Sequence, residues 1–355
     1  MSFFTIVLRV LWNGGVARIA VEESRVTKAK LLVLRESFND YNLSGVNITY
    51  LRRKGERGFL TPLFRKITKL YAPQRGDEAT VDLDLILKSA RLVKGKALYH
   101  DQFAGISGYL RKLLYGEDYA LYLHETSLPL KGLKYSLPRS MEWKVLRKAK
   151  IVMTNSKWNA ETLKEFGIES EVLYPGCYPD ENVNQDREEI VLAVSMWDAG
   201  RKPELYGELA RKIKGKVVMA GSWTRKDTME EFKRKYPEVL VTGKISENEL
   251  NSLYKRASLF IRFGFNERGP GMGVLEALAH GTPVIVNDGL GGKEFVRNYE
   301  NGFVVRDVEE AVERVNEVLS DEMLRRKIIY SAWETAKEYS WYKHGERLLE
   351  LMEKV

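Results

Sequence analysis

Short apolar runs recur along this chain, each separated from the next by a longer segment of helical pattern. In the first half they fall at Phe3–Val10, Lys30–Leu34, Val46–Leu51, Ala97–Tyr99, Ala120–Leu123 and Ile151–Thr154. In the second half they fall at Ile190–Val194, Lys216–Ala220, Leu240–Thr242, Leu259–Arg262, Val284–Val286 and Gly302–Val305. Strands spaced by helices pair in parallel and are covered on both faces, so the expected class is α/β. The polar stretch from Tyr178 to Glu189 breaks the alternation and reads as a linker between two such sheets. Ligands of parallel sheets bind at the carboxyl ends of strands. That rule places Gly14, His100, Asp101, His124 and Glu125 on one rim.

The stretch from Phe265 to Val286 adds chemistry to this frame. Gly269, Gly271 and Gly273 allow a ligand to approach backbone closely, and a helix beginning there offers unpaired amides to negative oxygens. Glu276 is expected in the first turn, placed to accept two ribose hydroxyls, with Glu267 before the loop. Gly281 stops the helix, Pro283 follows, and Val284–Val286 reads as a buried strand. The same residues also fit an ordinary helix N-terminus behind a flexible loop.

A chain of 355 residues with 44% hydrophobic content can bury two cores. No apolar run reaches the roughly 18 residues that a membrane span requires. Met1–Leu11 is short and leads into a glycine loop, so it reads as a first strand rather than a signal peptide. Cys177 is the single cysteine, which fits a reducing, cytoplasmic compartment. Residues 1–180 hold 29 Lys and Arg against 19 Asp and Glu, whereas the remainder holds 28 against 30. Much of that excess lies at residues 51–71, where basic residues interleave with Phe59, Leu60, Leu63, Phe64, Ile67, Leu70 and Tyr71. This amphipathic surface suits peripheral contact with an anionic membrane face, at about 1 kcal/mol per charge. A solvated basic helix is the plainer reading, and no motif of a nucleic-acid-binding fold accompanies it.

The glycine and glutamate stretch resembles the signature of retaining glycosyltransferases of family 4. Other segments extend the likeness: Trp12-Asn-Gly-Gly-Val-Ala-Arg18, Tyr99-His-Asp-Gln102, Leu123-His-Glu-Thr126, Thr154-Asn-Ser-Lys-Trp158, Leu173-Tyr-Pro-Gly176, Trp197-Asp-Ala-Gly-Arg-Lys202, Gly289-Leu-Gly-Gly-Lys-Glu-Phe-Val296 and Asn301-Gly-Phe-Val304. The resemblance implies the GT-B architecture, two facing Rossmann-like domains with a donor cleft between them. It implies an acceptor-side domain at 1–178, a linker at 179–189, a nucleotide-sugar-binding domain at 190–335, and a final helix at 336–355 crossing back to the first domain, with Trp341 and Tyr342 as its anchor. Two departures stand out. Eight residues separate Glu267 from Glu276 where the family has seven, so a strict register puts Arg268 at the first position. Met196 stands where the family commonly has a phosphate-binding arginine, leaving Lys202 and Arg201 to supply the charge.

What the resemblance implies about chemistry is transfer of a sugar from a UDP- or GDP-sugar to an acceptor hydroxyl, with retention, in glycan or glycolipid assembly. Gly14, Gly15 and the helix start Gly271-Met272-Gly273-Val274 would hold the diphosphate, Glu276 the ribose, and Lys244 and Ile245 the base. Lys202 and Arg201 would stabilise the leaving diphosphate without a metal ion. Glu267 and His124 would orient the transferred sugar, and Asp101 or His100 the acceptor hydroxyl. His280 suits a helix C-terminus, and His344 is expected at the surface. Asp82-Leu-Asp84 reads as an acidic pair at a helix start rather than a metal site. Competing readings are a sugar-nucleotide epimerase on the same fold, and a nucleotide- or nucleic-acid-binding protein without activity.

Overall fold

The computed structural model describes residues 3–56, 58, 61, 62, 66 and 81–355. The chain divides into two compact units, one of Met1–Pro175 with Trp341–Val355 and one of Gly176–Ser340. Most of the basic stretch expected at 51–71, including Arg57, Phe59, Leu60, Leu63–Arg65 and Ile67–Tyr71, lies outside the described residues. Among the described residues no helix is long and apolar enough to cross a membrane.

The first unit is built on a parallel sheet of β1 (Thr5–Leu11), β2 (Lys30–Glu36), β3 (Ile48–Arg52), β4 (Ala97–His100), β5 (Ala120–Leu123), β6 (Ile151–Thr154) and β7 (Glu171–Val172), in the order β3-β2-β1-β4-β5-β6-β7. The two-residue β7 is too short to leave a periodic signal in the sequence. Val7 pairs with Leu32 on one side and Tyr99 on the other, and all three are buried. Because β1 and β4 are neighbours although two strands separate them in sequence, the order reverses beside β1. A crevice opens outside such a reversal, where the loop after β1 and the end of β4 meet.

The second unit repeats the plan with β8 (Glu188–Val194), β9 (Lys216–Ala220), β10 (Leu240–Gly243), β11 (Ala257–Arg262), β12 (Val284–Asn287) and β13 (Gly302–Val305), in the order β10-β9-β8-β11-β12-β13. Here the reversal falls between β8 and β11, which brings the loops after Val194 and after Arg262 together. Trp197 anchors the first of these loops: it is fully buried, its indole N–H donates to Ala220 O at 2.9 Å, and it meets the Tyr206 ring edge-on. Asp180, within the polar stretch read as a linker, is tied into this unit. Its carboxylate lies 2.7 Å from His280 Nδ1 and 3.0 Å from Lys255 Nζ.

The C-terminal tail forms two helices, Glu322–Glu338 in the second unit and Trp341–Glu353 in the first. Trp341 is buried while Tyr342 is 69% exposed, so one of the two aromatic residues expected as anchors is packed. The Asp82 and Asp84 pair does stand at a helix start, Leu83–Leu92, and its charge is met by cations. Arg52 reaches Asp82 at 2.9 Å and Asp84 at 2.5 Å, and Arg35 reaches Asp82 at 3.4 Å.

Candidate functional site

In the second unit the reversal between β8 and β11 gathers charge and glycine loops. Asp198 caps the short turn Ala199–Arg201 by accepting from Arg201 N at 3.0 Å, and Lys202 follows at φ +45°. The side chain of Lys202 is exposed and pairs with no carboxylate among the described residues. Arg201 Nη2 lies 3.7 Å from Glu267 Oε1, and Arg262 Nη2 lies 2.6 Å from Glu267 Oε2. Both guanidinium groups sit over the Phe265 ring, at 4.4 Å for Arg201 and 5.1 Å for Arg262. A cavity of about 710 Å³ beside them is lined by Lys202, Gly264, Phe265, Asn266 and Asn287.

Gly271 is required by its backbone angle and Gly291 by close approach of backbone. Gly271 takes φ +67° as the N-cap of the helix Met272–Ala279 and brings no side-chain cap, so no side chain competes for its first-turn amides. A Cβ there would come within 3.2 Å of Arg262 Nε, a buried nitrogen with no partner among the described residues. A Cβ at Gly291 would come within 2.1 Å of Arg268 O, so the Gly289-Leu-Gly-Gly segment presses directly on the signature loop. Gly291 N donates to Glu267 O at 2.7 Å, and Glu267 N donates to Gly289 O at 3.0 Å.

Two expectations within the signature need correction. Glu276 is the fifth residue of its helix and stands in the second turn, not the first, half-buried with the Tyr254 hydroxyl donating to Oε2 at 3.2 Å. Val274 is fully buried and its amide donates to Gly271 O at 2.9 Å, so neither its side chain nor its N–H is open to a ligand. The helix start can offer Met272 and Gly273 instead. Lys244 and Ile245 follow the edge strand β10, two strands away from β8, with Lys244 exposed and Ile245 half-buried.

In the first unit, Gly14 caps the helix Gly15–Thr27, and a Cβ on it would meet the Trp12 ring at 2.6 Å. The Gly14 amide is already engaged, donating to the Tyr41 hydroxyl at 2.9 Å, while that hydroxyl donates to Gly14 O at 2.8 Å. Asp101 is held at φ +71°. Its Oδ1 accepts from the amides of Phe103 and Ala104, both at 2.8 Å, and its Oδ2 lies 3.2 Å from Arg9 Nε. Its carboxylate thus caps its own helix.

His100 is fully buried and spends both ring nitrogens inside the protein, Nε2 at 2.7 Å from Glu23 Oε2 and Nδ1 at 3.0 Å from His124 Nε2. It therefore has no nitrogen left for an acceptor. His124 is 7% exposed and stacks on His100 at 5.2 Å between ring centroids. His344 is a further correction, because it is buried rather than at the surface. Its Nδ1 lies 2.6 Å from Tyr174 O and its Nε2 lies 3.0 Å from Glu23 Oε1. Burial pushes the Glu23 carboxyl up, but the hydrogen bonds and the positive charge supplied by its histidine partners outweigh it and bring it down to about 2. Burial holds His124 well below the usual histidine range.

Sequence reading missed Arg262, Tyr254 and Glu23. Arg262 left a signal, as the one charge ending the apolar run Ala257–Arg262 at the carboxyl edge of the sheet. Glu23 left only a weak one, a carboxylate among the buried positions of an amphipathic helix.

Residues 179–335 match the family model described as glycosyl transferases group 1. Among curated relatives, the GDP-Man:Man(3)GlcNAc(2)-PP-Dol alpha-1,2-mannosyltransferase of Dictyostelium discoideum is 24% identical over 206 residues, covering 48% of this chain and 41% of that protein. The N,N'-diacetylbacillosaminyl-diphospho-undecaprenol alpha-1,3-N-acetylgalactosaminyltransferase of Campylobacter jejuni is 24% identical over 208 residues, covering 54% of each. The chain thus spans about half the length of these curated relatives. Among solved structures, Anabaena HepE in complex with UDP and glucose superposes with a TM-score of 0.75 at 14% identity, over 99% of this chain and all of that one. At that identity the likeness carries the fold, which is GT-B with two Rossmann-like units.

Proposed function

We propose that this protein is a retaining glycosyltransferase of family 4 that moves a sugar from a nucleotide diphosphate sugar to an acceptor hydroxyl. The second unit is the donor-binding unit and the first the acceptor-side unit. The observation that carries the reading is the cluster at the β8–β11 reversal. There one exposed lysine, two arginines gripping Glu267, and an uncapped helix start at Gly271 converge beside Glu276. Such a cluster suits a diphosphate with a ribose attached.

In this reading the Met272 and Gly273 amides, Lys202 and Arg201 take up charge on the leaving diphosphate. Glu276, steadied by Tyr254, accepts the ribose hydroxyls. Glu267 and His124 orient the transferred sugar. The acceptor oxygen bonds to the anomeric carbon on the face from which the phosphate oxygen departs, and the acceptor proton passes to that oxygen. A lipid-linked acceptor is supported by the two curated relatives, whose names specify dolichol- and undecaprenol-linked substrates.

Binding of UDP, GDP and ADP measured by calorimetry tests the donor site and identifies the base. Release of that diphosphate from its sugar, dependent on added acceptor, then tests transfer. Failure of all three diphosphates to bind would overturn the reading.

A further inference from the structure

We infer that Glu23, His100 and His344 are positioning residues that fix the proton of His124 on Nε2, so that its Nδ1 stands as an acceptor for a hydroxyl of the transferred sugar. The identity of that hydroxyl rests on the sugar-transfer reading; the proton arrangement does not.

The four side chains form one buried chain of contacts within the first unit. Glu23 comes from the helix that opens at the glycine loop, His100 from the end of β4, His124 from just beyond β5, and His344 from the C-terminal helix Trp341–Glu353. At one end, Tyr174 O can only accept, so His344 Nδ1 donates to it at 2.6 Å. His344 Nε2 faces a carboxylate oxygen at 3.0 Å and donates as well. The doubly protonated ring of His344 therefore balances the charge of Glu23.

The second oxygen of Glu23 accepts from His100 Nε2 at 2.7 Å. A second proton on His100 would leave an unbalanced positive charge in a fully buried position, so its Nδ1 holds a lone pair. His124 Nε2, 3.0 Å from that lone pair, must then carry the donating proton. By elimination His124 Nδ1 is bare, and it is a buried atom with no partner among the described residues. Stacking on His100, and the Tyr122 ring 4.5 Å away, hold the imidazole in this orientation. A buried acceptor without a partner among the described residues calls for a donor from a ligand, and a sugar hydroxyl is such a donor.

The test uses the full chain labelled with 15N histidine, whose four histidines include His280 in the second unit as an internal control. Long-range proton–nitrogen spectra at neutral pH should show His124 protonated at Nε2 alone. In Glu23→Gln that single tautomer should be lost to a mixture while the His280 signals stay unchanged. His344→Asn, which leaves the carboxylate in place, gives a second measurement if Glu23→Gln does not fold. A His124 protonated at Nδ1 in the native protein, or unchanged in every folded variant, would overturn the proton relay. Addition of UDP-glucose or GDP-mannose, whichever calorimetry shows to bind, should shift the His124 Nδ1 resonance. A bound donor that leaves Nδ1 unmoved overturns the sugar contact alone, and binding of neither donor removes the sugar-transfer reading on which that contact rests.

Discussion

Arg262 Nη2 lies 2.6 Å from Glu267 Oε2, and the same guanidinium donates through Nη1 to Val194 O at 3.3 Å. One side chain thus ties the first signature glutamate to the end of the central strand β8. Arg201 reaches the other carboxylate oxygen from the neighbouring loop, so Glu267 is clamped between two cations in an orientation that its own loop does not set. Position 196 is methionine and brings no charge; the positive charge beside Glu267 comes from Arg201 and Arg262.

Arg262→Met should therefore disturb the reaction more than the fold. Loss of a partly buried charged hydrogen bond costs about 1.5–3 kcal/mol, and the methionine keeps much of the packing against Phe265. The expected outcome is at least about a tenfold loss in kcat/KM by the same arithmetic, with a cooperative thermal transition retained. Activity within a factor of two of the native protein would show that Arg201 suffices.

Glu276→Ala should weaken diphosphate binding about ten- to hundredfold, since a charged hydrogen bond contributes roughly 1.5–3 kcal/mol. Tyr254→Phe leaves the carboxylate in place and removes only the bond that steadies it, so it should weaken binding less, by roughly two- to tenfold, equivalent to about 0.5–1.4 kcal/mol. Calorimetry on both variants checks the order; an equal loss in each would make Tyr254 a ligand in its own right.

Gly271→Ala introduces a methyl 3.2 Å from Arg262 Nε at a left-handed φ of +67°. The backbone strain is about 1–2 kcal/mol. A lowered melting temperature should accompany loss of diphosphate affinity, because the strained residue caps the helix whose amides face the ligand. Gly132→Ala, at φ +109° with no atom within 4 Å of the added methyl, controls for strain alone. Equal affinity losses in both variants would count against a local role for Gly271.

Acid should destabilise the first unit through two groups. The folded-state value of Glu23 lies near 2, below that of an unfolded glutamate, so its stabilising contribution is present above about 4.5 and is lost as pH falls toward 2. His124 is held neutral in the fold while an unfolded histidine takes up a proton near pH 6.5, so stability also declines as pH falls below that value. Thermal melts across pH 7 to 3 should fall steadily in the native protein. In Glu23→Gln the fall between about 4.5 and 3 should flatten; an unchanged slope there would remove Glu23 as its source.

Much of this molecule is legible in its sequence because the relevant physics is local. A strand buried on both faces must be continuously apolar, so runs such as Ala120–Leu123 and Lys216–Ala220 mark themselves, down to their ends. Glycines at Gly14, Gly271 and Gly291 are demanded by backbone angle or by close approach, and a loop rich in them announces a site. The polar stretch after Tyr178 was harder to read. Nothing in its composition reveals that Asp180 binds His280 and Lys255, which lie 100 and 75 residues further on.

The sequence by itself determined two parallel sheets, glycine loops at their carboxyl ends, and the residue types of the charged cluster proposed to bind a nucleotide diphosphate. These follow from periodicity and from steric limits that each segment carries alone. Tertiary structure decided which of those polar residues remain open to a ligand. His100 and His124 look alike in sequence, each following a buried strand. Only the arrival of Glu23 from a distant helix, held in turn by His344 from another, takes up Nε2 of His100; His124 takes its Nδ1, and one nitrogen of His124 is left over. Hydrogen-bond valence is settled by partners distant in the chain, and no local pattern encodes which partner arrives.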